Sequence, residues 1–463
     1  MPPIFMLVDF GSTFTKVTVV DIHEEKILGK AQAPTTVEED ITIGFLNAER
    51  EIEKTTGLTR DSIDSILACS SAAGGLRMVA IGLVPELTVE AAKRAALGAG
   101  AKVVGTYSFE LSKQDLEEIV KINPDIILLA GGIDGGNKTT ITHNAKMLAA
   151  SELTTPIIVA GNRVVSENIY ETLKEAGKDV RVTDNVMPEL GKLEVIKVRE
   201  TIREVFASHI VKAKGLDKVR KYLDDIVLPT PAAVLMAAEL LAKGTEDEPG
   251  IGDLIVVDIG GATTDIHSIS SGEPSKPGVI VKGLPEPYAK RTVEGDLGIR
   301  YNAANILEKA GLKKIIKDTG LSQEAVEKRI QQITKNVNAI STSAEEKILD
   351  KVLAVFAVKT AMERHAGIIK EMYTPTGEVS VQYGKDLTKV SKMIGVGGIF
   401  CYGSDQSEIL KSALFDPQNP WSLKPQGAEL FIDKEYIMAH MGLLASKHPI
   451  KAFRILKKYL YKL

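Results

Sequence analysis

Two short segments join an aspartate to a glycine turn and a set of hydroxyl side chains: DFGSTFTK, Asp9 to Lys16, and DIGGATTD, Asp258 to Asp265. In each, an apolar run delivers a carboxylate to the end of a strand. The glycine after it removes side-chain bulk where another group must approach the backbone. Successive N–H groups in such a turn make a concave surface that suits phosphate oxygens. Gly11, Ser12 and Thr13 are the candidate phosphate contacts of the first turn, and Gly260, Gly261 and Thr263 those of the second. Lys16 either reaches a phosphate or points away as a strand residue. A carboxylate repels phosphate, so Asp9 and Asp258, with Asp265, are candidates to hold a Mg²⁺ ion, largely through water. Each turn alone is better explained as a plain hairpin. As a pair they suit a polyphosphate clamped from both sides, with one metal between two acids.

Three further segments bear on the site. GVGG, Gly395 to Gly398, allows the backbone to lie flat against a base or ribose, though alone it reads better as a tight strand-to-helix crossover. PTPAAVLMAAELL, Pro229 to Leu241, is an alanine-rich helix able to approach another helix closely. GGIDGG, Gly131 to Gly136, precedes a helix and so has the setting of an anion loop, with Asp134 as a charge against that reading. The seven histidines show no paired spacing of three or four, which argues against a histidine metal site.

The elements that must position these residues follow from periodicity. Ile4 to Asp9, Val17 to Val20 and Lys26 to Lys30 read as strands. A helix follows with Ile41, Phe45, Ala48 and Ile52 on one face. From Val79 to Ala176 short apolar runs alternate with helical stretches, the pattern of a parallel sheet covered on both faces. Charged helices are expected over Ile299–Gly311 and Ser322–Thr334, a long helix over Ala344–Tyr373, a strand over Val390–Ile394, and helix from Lys434 onward with a break at Pro449. LIVVDIGGATTD repeats the design of the opening strand and turn, which suggests two related halves. The expected division is an α/β core in two halves, residues 1–60 and 226–463, with residues 61–225 an inserted α/β domain and helical exit.

The chain has 463 residues, enough for about three folding units. Its net charge of −4 supplies no basic footprint for nucleic acid. Two cysteines, Cys69 and Cys401, make no disulfide framework and suit a reducing cytoplasm. The apolar start reads as a buried strand and not a leader. The longest apolar stretch, Ile226 to Ala242, is broken by prolines and a glutamate, so no membrane span is expected.

As a set, the hairpins, alanine-rich helix, glycine cluster and C-terminal helix resemble the actin-like ATPase superfamily, which has duplicated ribonuclease H-like halves. DIGGATTD is similar to the second phosphate motif of the heat-shock chaperones, and EYIMAHMGLLA (Glu435 to Ala445) to a second connecting helix. DFGSTFTK, SSAAGGLRM (Ser70 to Met78), LLAGGIDGGN, GDLGIRYNA (Gly295 to Ala303) and RILKKYL (Arg454 to Leu460) resemble the accessory proteins of glutamate (methylaspartate) mutase, the MutL type of that superfamily. This resemblance spans essentially the whole chain. It implies an ATP-dependent reactivating chaperone that binds and hydrolyses Mg-ATP and serves an adenosylcobalamin-dependent mutase by releasing damaged cobalamin. It also implies ATP or ADP between the halves, Asp9 and Asp258 as catalytic acids with Asp258 orienting the attacking water, and Gly395, Gly397 and Gly398 facing the adenosine. A small-molecule kinase of the same superfamily is the main alternative. An electron-transferring activator is a weaker one, because Cys69 and Cys401 lie outside the expected cluster loop. A filament or scaffold protein is another. Monomer and homodimer both stay open.

Overall fold

The run Ile4–Phe10 forms β1, buried along almost its whole length because strands flank it on both sides. The computed structural model describes residues 3–36, 39–72, 74–210, 217–224, 228–375 and 377–463. β1 pairs antiparallel with β2 (Phe14–Asp21), and β2 with β3 (Lys26–Pro34). Helix α1 (Ile41–Thr56) starts at an Asp40 cap and buries Ile41, Phe45, Ala48 and Ile52, the stripe read from the sequence. β4 (Ser65–Ser70) then returns parallel to β1. The first sheet therefore continues past residue 60.

A second sheet of five parallel strands follows. It is built from β5 (Leu76–Gly82), α2 (Glu90–Gly98), β6 (Ala101–Ser108), α3 (Lys113–Ile122), β7 (Ile126–Leu129), α4 (Thr139–Ala149), β8 (Ile157–Val159), α5 (Arg163–Glu175) and β9 (Val180–Val182). Its order is β6-β5-β7-β8-β9, a doubly wound arrangement. Helix α6 (Ile196–Val205) leads out of it. The expected division at 225/226 lies outside the described residues.

β10 (Leu228–Pro229) completes the first sheet, in the order β10-β4-β1-β2-β3. Helix α7 (Thr230–Lys243) follows at once. The last large sheet contains β11 (Leu254–Ile259) and β12 (Thr264–Ile269) as a hairpin. β13 (Ile280–Lys282) belongs to a small separate sheet, and β14 (Ala289–Glu294) pairs with β12. Three helices come next: α8 (Ala303–Ala310), α9 (Leu312–Thr319) and α10 (Gln323–Lys335).

α11 (Ala344–His365) begins with a capping box between Ser343 and Glu346. It stops eight residues short of the expected Tyr373. Gly367 packs where any Cβ would stand 2.7 Å from the carbonyl oxygens of Tyr383 and Lys385. The chain beyond it pairs as β15 (Ile368–Thr374) with β16 (Gly377–Tyr383). Local helical preference yields here to sheet pairing.

β17 (Lys392–Val396) lies parallel to β11, and α12 (Gly398–Tyr402) starts directly after it. β18 (Glu429–Ile432), α13 (Met438–Ala445), α14 (Pro449–Tyr459) and β19 (Tyr461–Lys462) end the chain. The large sheet runs β14-β12-β11-β17-β18-β19. Up to β18 this repeats the order of the first sheet, with β11 in the place of β1. Between the two sheets lies a core of Phe5 and Leu7 from β1, Val256 from β11, Ala237 and Leu241 from α7, and Met441 and Leu444 from α13. α7 and α13 thus join the halves at their base. Among the described residues no helix is long and apolar enough to cross a membrane.

Candidate functional site

The two hairpins close with one geometry. Gly11 N–H donates to the Phe14 carbonyl at 3.1 Å, and Gly260 N–H donates to the Thr263 carbonyl at 2.9 Å. A Cβ at position 11 would stand 2.7 Å from the Phe14 oxygen, which explains the glycine there. Both turns face one cavity of about 720 Å³, lined by Thr13 and Lys16 of the first, Gly260 and Gly261 of the second, Gly398 and Tyr436. Residues far apart in the chain are therefore gathered at one cleft.

Asp9 is 2 % exposed, beside the cavity-lining Lys16. Its Oδ1 accepts hydrogen bonds from Thr230 Oγ1 (2.7 Å) and Cys69 Sγ (3.5 Å), and its Oδ2 lies 3.5 Å from Lys16 Nζ. Lys16 therefore turns inward. Its ammonium also sits 3.8 Å from the centre of the Tyr436 ring, a cation–π arrangement. Burial works against its charge, but Tyr436, Asp9 and Asp258 more than offset this, so its pKa is raised. Burial pushes the Cys69 thiol well up, with Asp9 adding to it, so the thiol stays protonated.

Asp258 behaves differently. Burial first, then the neighbouring Asp265 and Asp9, push its pKa up to about 7, against the pull of Lys16 and Arg291. A carboxyl titrating there is poised for proton transfer or for charge-dependent cation binding. Asp265 is already engaged: Arg291 holds its Oδ1 through Nε (2.7 Å) and Nη2 (2.5 Å), and Thr263 Oγ1 donates to Oδ2 (2.8 Å). Ser12 Oγ donates to the Ser71 carbonyl (3.2 Å), so the serine run packs behind the first turn; Ala73 in that run lies outside the described residues. Among the described residues no set of three or more His, Cys, Asp or Glu side chains converges as a metal cage. A pair of acids, short of a full cage, suits Mg²⁺, which keeps several waters and leans on substrate phosphates.

The glycine cluster divides by role. A Cβ at Gly395 would stand 2.7 Å from the Phe400 ring, and Gly397, at φ +114, lies against the Ile259 carbonyl. Both serve packing. Gly398 has no atom near its Cβ direction and lines the cavity. GDLGIRYNA seats on the second turn: Gly261 O accepts the N–H groups of Arg300 (3.0 Å) and Tyr301 (2.9 Å). Arg300 pairs with Asp350 (2.7 Å), which also accepts from Ser341 Oγ (2.6 Å) at the far wall.

Sequence reasoning missed Arg300, Asp350, Tyr436 and His440 as cavity residues. Tyr436 holds φ +55, uncommon for a bulky side chain, and nothing in its neighbours announces this. His440 Nδ1 shares a hydrogen bond with Thr18 Oγ1 at 3.0 Å across the halves, and burial pulls its pKa down to about 4. The GGIDGG loop is tied from within. Asp134 Oδ1 accepts from Arg163 N–H and Asn185 Nδ2, each at 3.0 Å, and so occupies the start of α5. Asn162 bonds Gly135, Gly136 and Asn137.

Two sheets of one strand order, joined by two helices and presenting matched acid-bearing turns to one cleft, define an actin-like, ribonuclease H-like fold interrupted by a parallel βα domain. The sequence profile of the MutL protein family matches residues 5–460, and the chain belongs to that family. It is 52 % identical over 459 residues to Protein MutL of Clostridium tetanomorphum, covering 99 % of both chains. Weaker overlaps occur with a gluconate kinase from Lactobacillus acidophilus (10 % identity, TM-score 0.36, 100 % of this chain and 92 % of that one). A glycerol dehydratase reactivase overlaps similarly (12 %, 0.36, 96 % and 99 %). Overlaps this distant add nothing to the fold argument.

Proposed function

We propose that this protein is an ATP-dependent accessory protein that reactivates an adenosylcobalamin-dependent mutase of the glutamate mutase kind. The observation that supports it best is the gathering of both acid-bearing turns, Gly398 and Lys16 at one cavity in a chain of the MutL family. ATP is the substrate. N–H groups of residues 12–13 and 261–263 receive its phosphates, those of Gly11 and Gly260 being spent on closing the turns. Lys16 adds a fixed cation, and Gly398 leaves room for the adenosine. Asp9 and Asp258 are the residues that would hold Mg²⁺. The metal, when bound, neutralises phosphate charge and polarises the phosphoryl group. Asp258 orients the attacking water. Asp265, held by Arg291, shapes the field at Asp258 and is not free to move to a metal.

Loss of phosphate contacts on one face of the cleft lets the halves rotate about α7 and α13. That motion pries the client open and frees inactive cobalamin. In this reading the core comprises the two repeated halves, the parallel sheet is an inserted domain that meets the client, and the protein works in the cytoplasm with its two cysteines unpaired. The test is turnover of ATP by the purified chain, alone and with a mutase loaded with cyanocobalamin. Hydrolysis with release of the corrinoid is expected. ATP consumption that appears only with a small-molecule acceptor, and transfers the phosphoryl group to that acceptor with release of ADP, would replace this reading with a kinase.

A further inference from the structure

The corner Leu97–Ala101, where α2 of the parallel sheet turns into β6, touches the supports of both acids. On one side stands Arg291 of β14, 4 % exposed. It grips Asp265 with Nε and Nη2 and spends Nη1 on the carbonyls of Leu97 (3.1 Å) and Ala101 (2.7 Å). On the other side Gly100, at φ +96, lies so close to α7 that a Cβ would stand 2.7 Å from Pro229 Cβ and 3.0 Å from Ala232 N. Thr230, between those residues, donates to Asp9. Asp265 in turn faces Asp258 directly across the hairpin.

We propose that this corner couples the nucleotide state of the cleft to the placement of the parallel-sheet domain, with Arg291 as the positioning residue that links them. The inference rests on the Mg-ATP reading above. Arg291 satisfies Asp265 and both carbonyls only for one placement of β14 against α2. A shift of the hairpin on nucleotide binding must break one set or drag the corner along. A buried guanidinium and carboxylate separate only at high cost, so the carbonyl bonds are the ones that give or follow. Gly100 supplies the second contact, because the corner approaches Pro229 and Ala232 at the start of α7 too closely for any side chain to fit between.

Hydrogen exchange on the full chain, with and without Mg²⁺ and a non-hydrolysable ATP analogue, tests this. Expected in the wild type is slowed exchange at Thr13–Lys16 together with altered exchange at Leu97–Ala101. Arg291→Lys keeps a charge for Asp265 but cannot also reach both carbonyls. It should keep protection at Thr13–Lys16 and lose the response of the corner. A protected turn with an unresponsive corner in the wild type overturns the coupling and leaves the Mg-ATP reading standing. Silence at both overturns that reading, and the coupling with it. A corner that still responds in folded Arg291→Lys removes Arg291 from the link. The wild-type comparison decides the coupling even where the variant fails to fold.

Discussion

Asp258 and Asp265 stand directly opposite one another on β11 and β12, at the register position where the first hairpin sets Asp9 against Lys16. The two halves repeat a shape but not a charge pattern. One turn pairs acid with base, and the other pairs acid with acid. Arg291 neutralises Asp265, which leaves Asp258 as the carboxyl that burial and its neighbours push up to about 7.

Cation binding by Asp258 should therefore depend on pH. Its folded pKa is raised, so the proton is held below about 7 and released above it. Only the ionised form attracts Mg²⁺. Mg-ATP affinity should fall by up to about tenfold per pH unit below that point, and Asp258→Asn should flatten the dependence and abolish hydrolysis. Without ligand, the stability this group contributes is full below its unfolded pKa and lost as pH rises through about 7. Asp258→Asn should then melt increasingly above the wild type as pH rises. Titration calorimetry and thermal melts across neutrality check both; a wild-type affinity that does not change with pH would remove Asp258 from the cation site.

Lys16 offers a second test. Its ammonium lies between Asp9 and the Tyr436 ring at the cavity wall. A charge-assisted hydrogen bond to phosphate is worth about 1.5–3 kcal/mol, so Lys16→Met should weaken Mg-ATP binding roughly 10- to 150-fold. Tyr436→Leu should cost less, because it loosens the ammonium without deleting it. Equal affinities for wild type and Lys16→Met would show that the lysine serves only to balance Asp9.

Neighbouring glycines should respond oppositely. Gly397 combines φ +114 with contact on the Ile259 carbonyl, so Gly397→Ala should destabilise the fold by about 1–3 kcal/mol. Gly398 faces open space in the cavity. Gly398→Val should leave the melting temperature nearly unchanged and lower nucleotide affinity. Melts and binding on both variants separate the roles; a large loss of stability in Gly398→Val would count against a nucleotide-facing position.

Much of this site was legible because its signals are local. An apolar run, an acid and a glycine turn lie within ten residues, so both hairpins and both acids follow from the chain alone. The stripe Ile41, Phe45, Ala48, Ile52 was visible for the same reason. Arg291 was not, because its partners come from β12 and from the α2–β6 corner, far from it in the chain. The inward turn of Lys16 depends on Tyr436, more than 400 residues away. β4 was missed because Ser65–Ser70 is short, with serines at both ends, and its burial comes from β1 and β10 on either side.

The joint between the halves should be sensitive to a single methyl group. Gly442 of α13 lies against the Ala233 carbonyl of α7, closer than any Cβ could stand. Each helix also packs into the core shared by the two sheets. Gly442→Ala must push the helices apart, and overpacking of this kind costs about 1–3 kcal/mol. The urea midpoint should fall with an unchanged slope. If rotation of the halves turns on this crossing, hydrolysis should also lose its response to the client while basal nucleotide binding persists. A variant with lowered stability but full client stimulation would move the hinge away from α7 and α13.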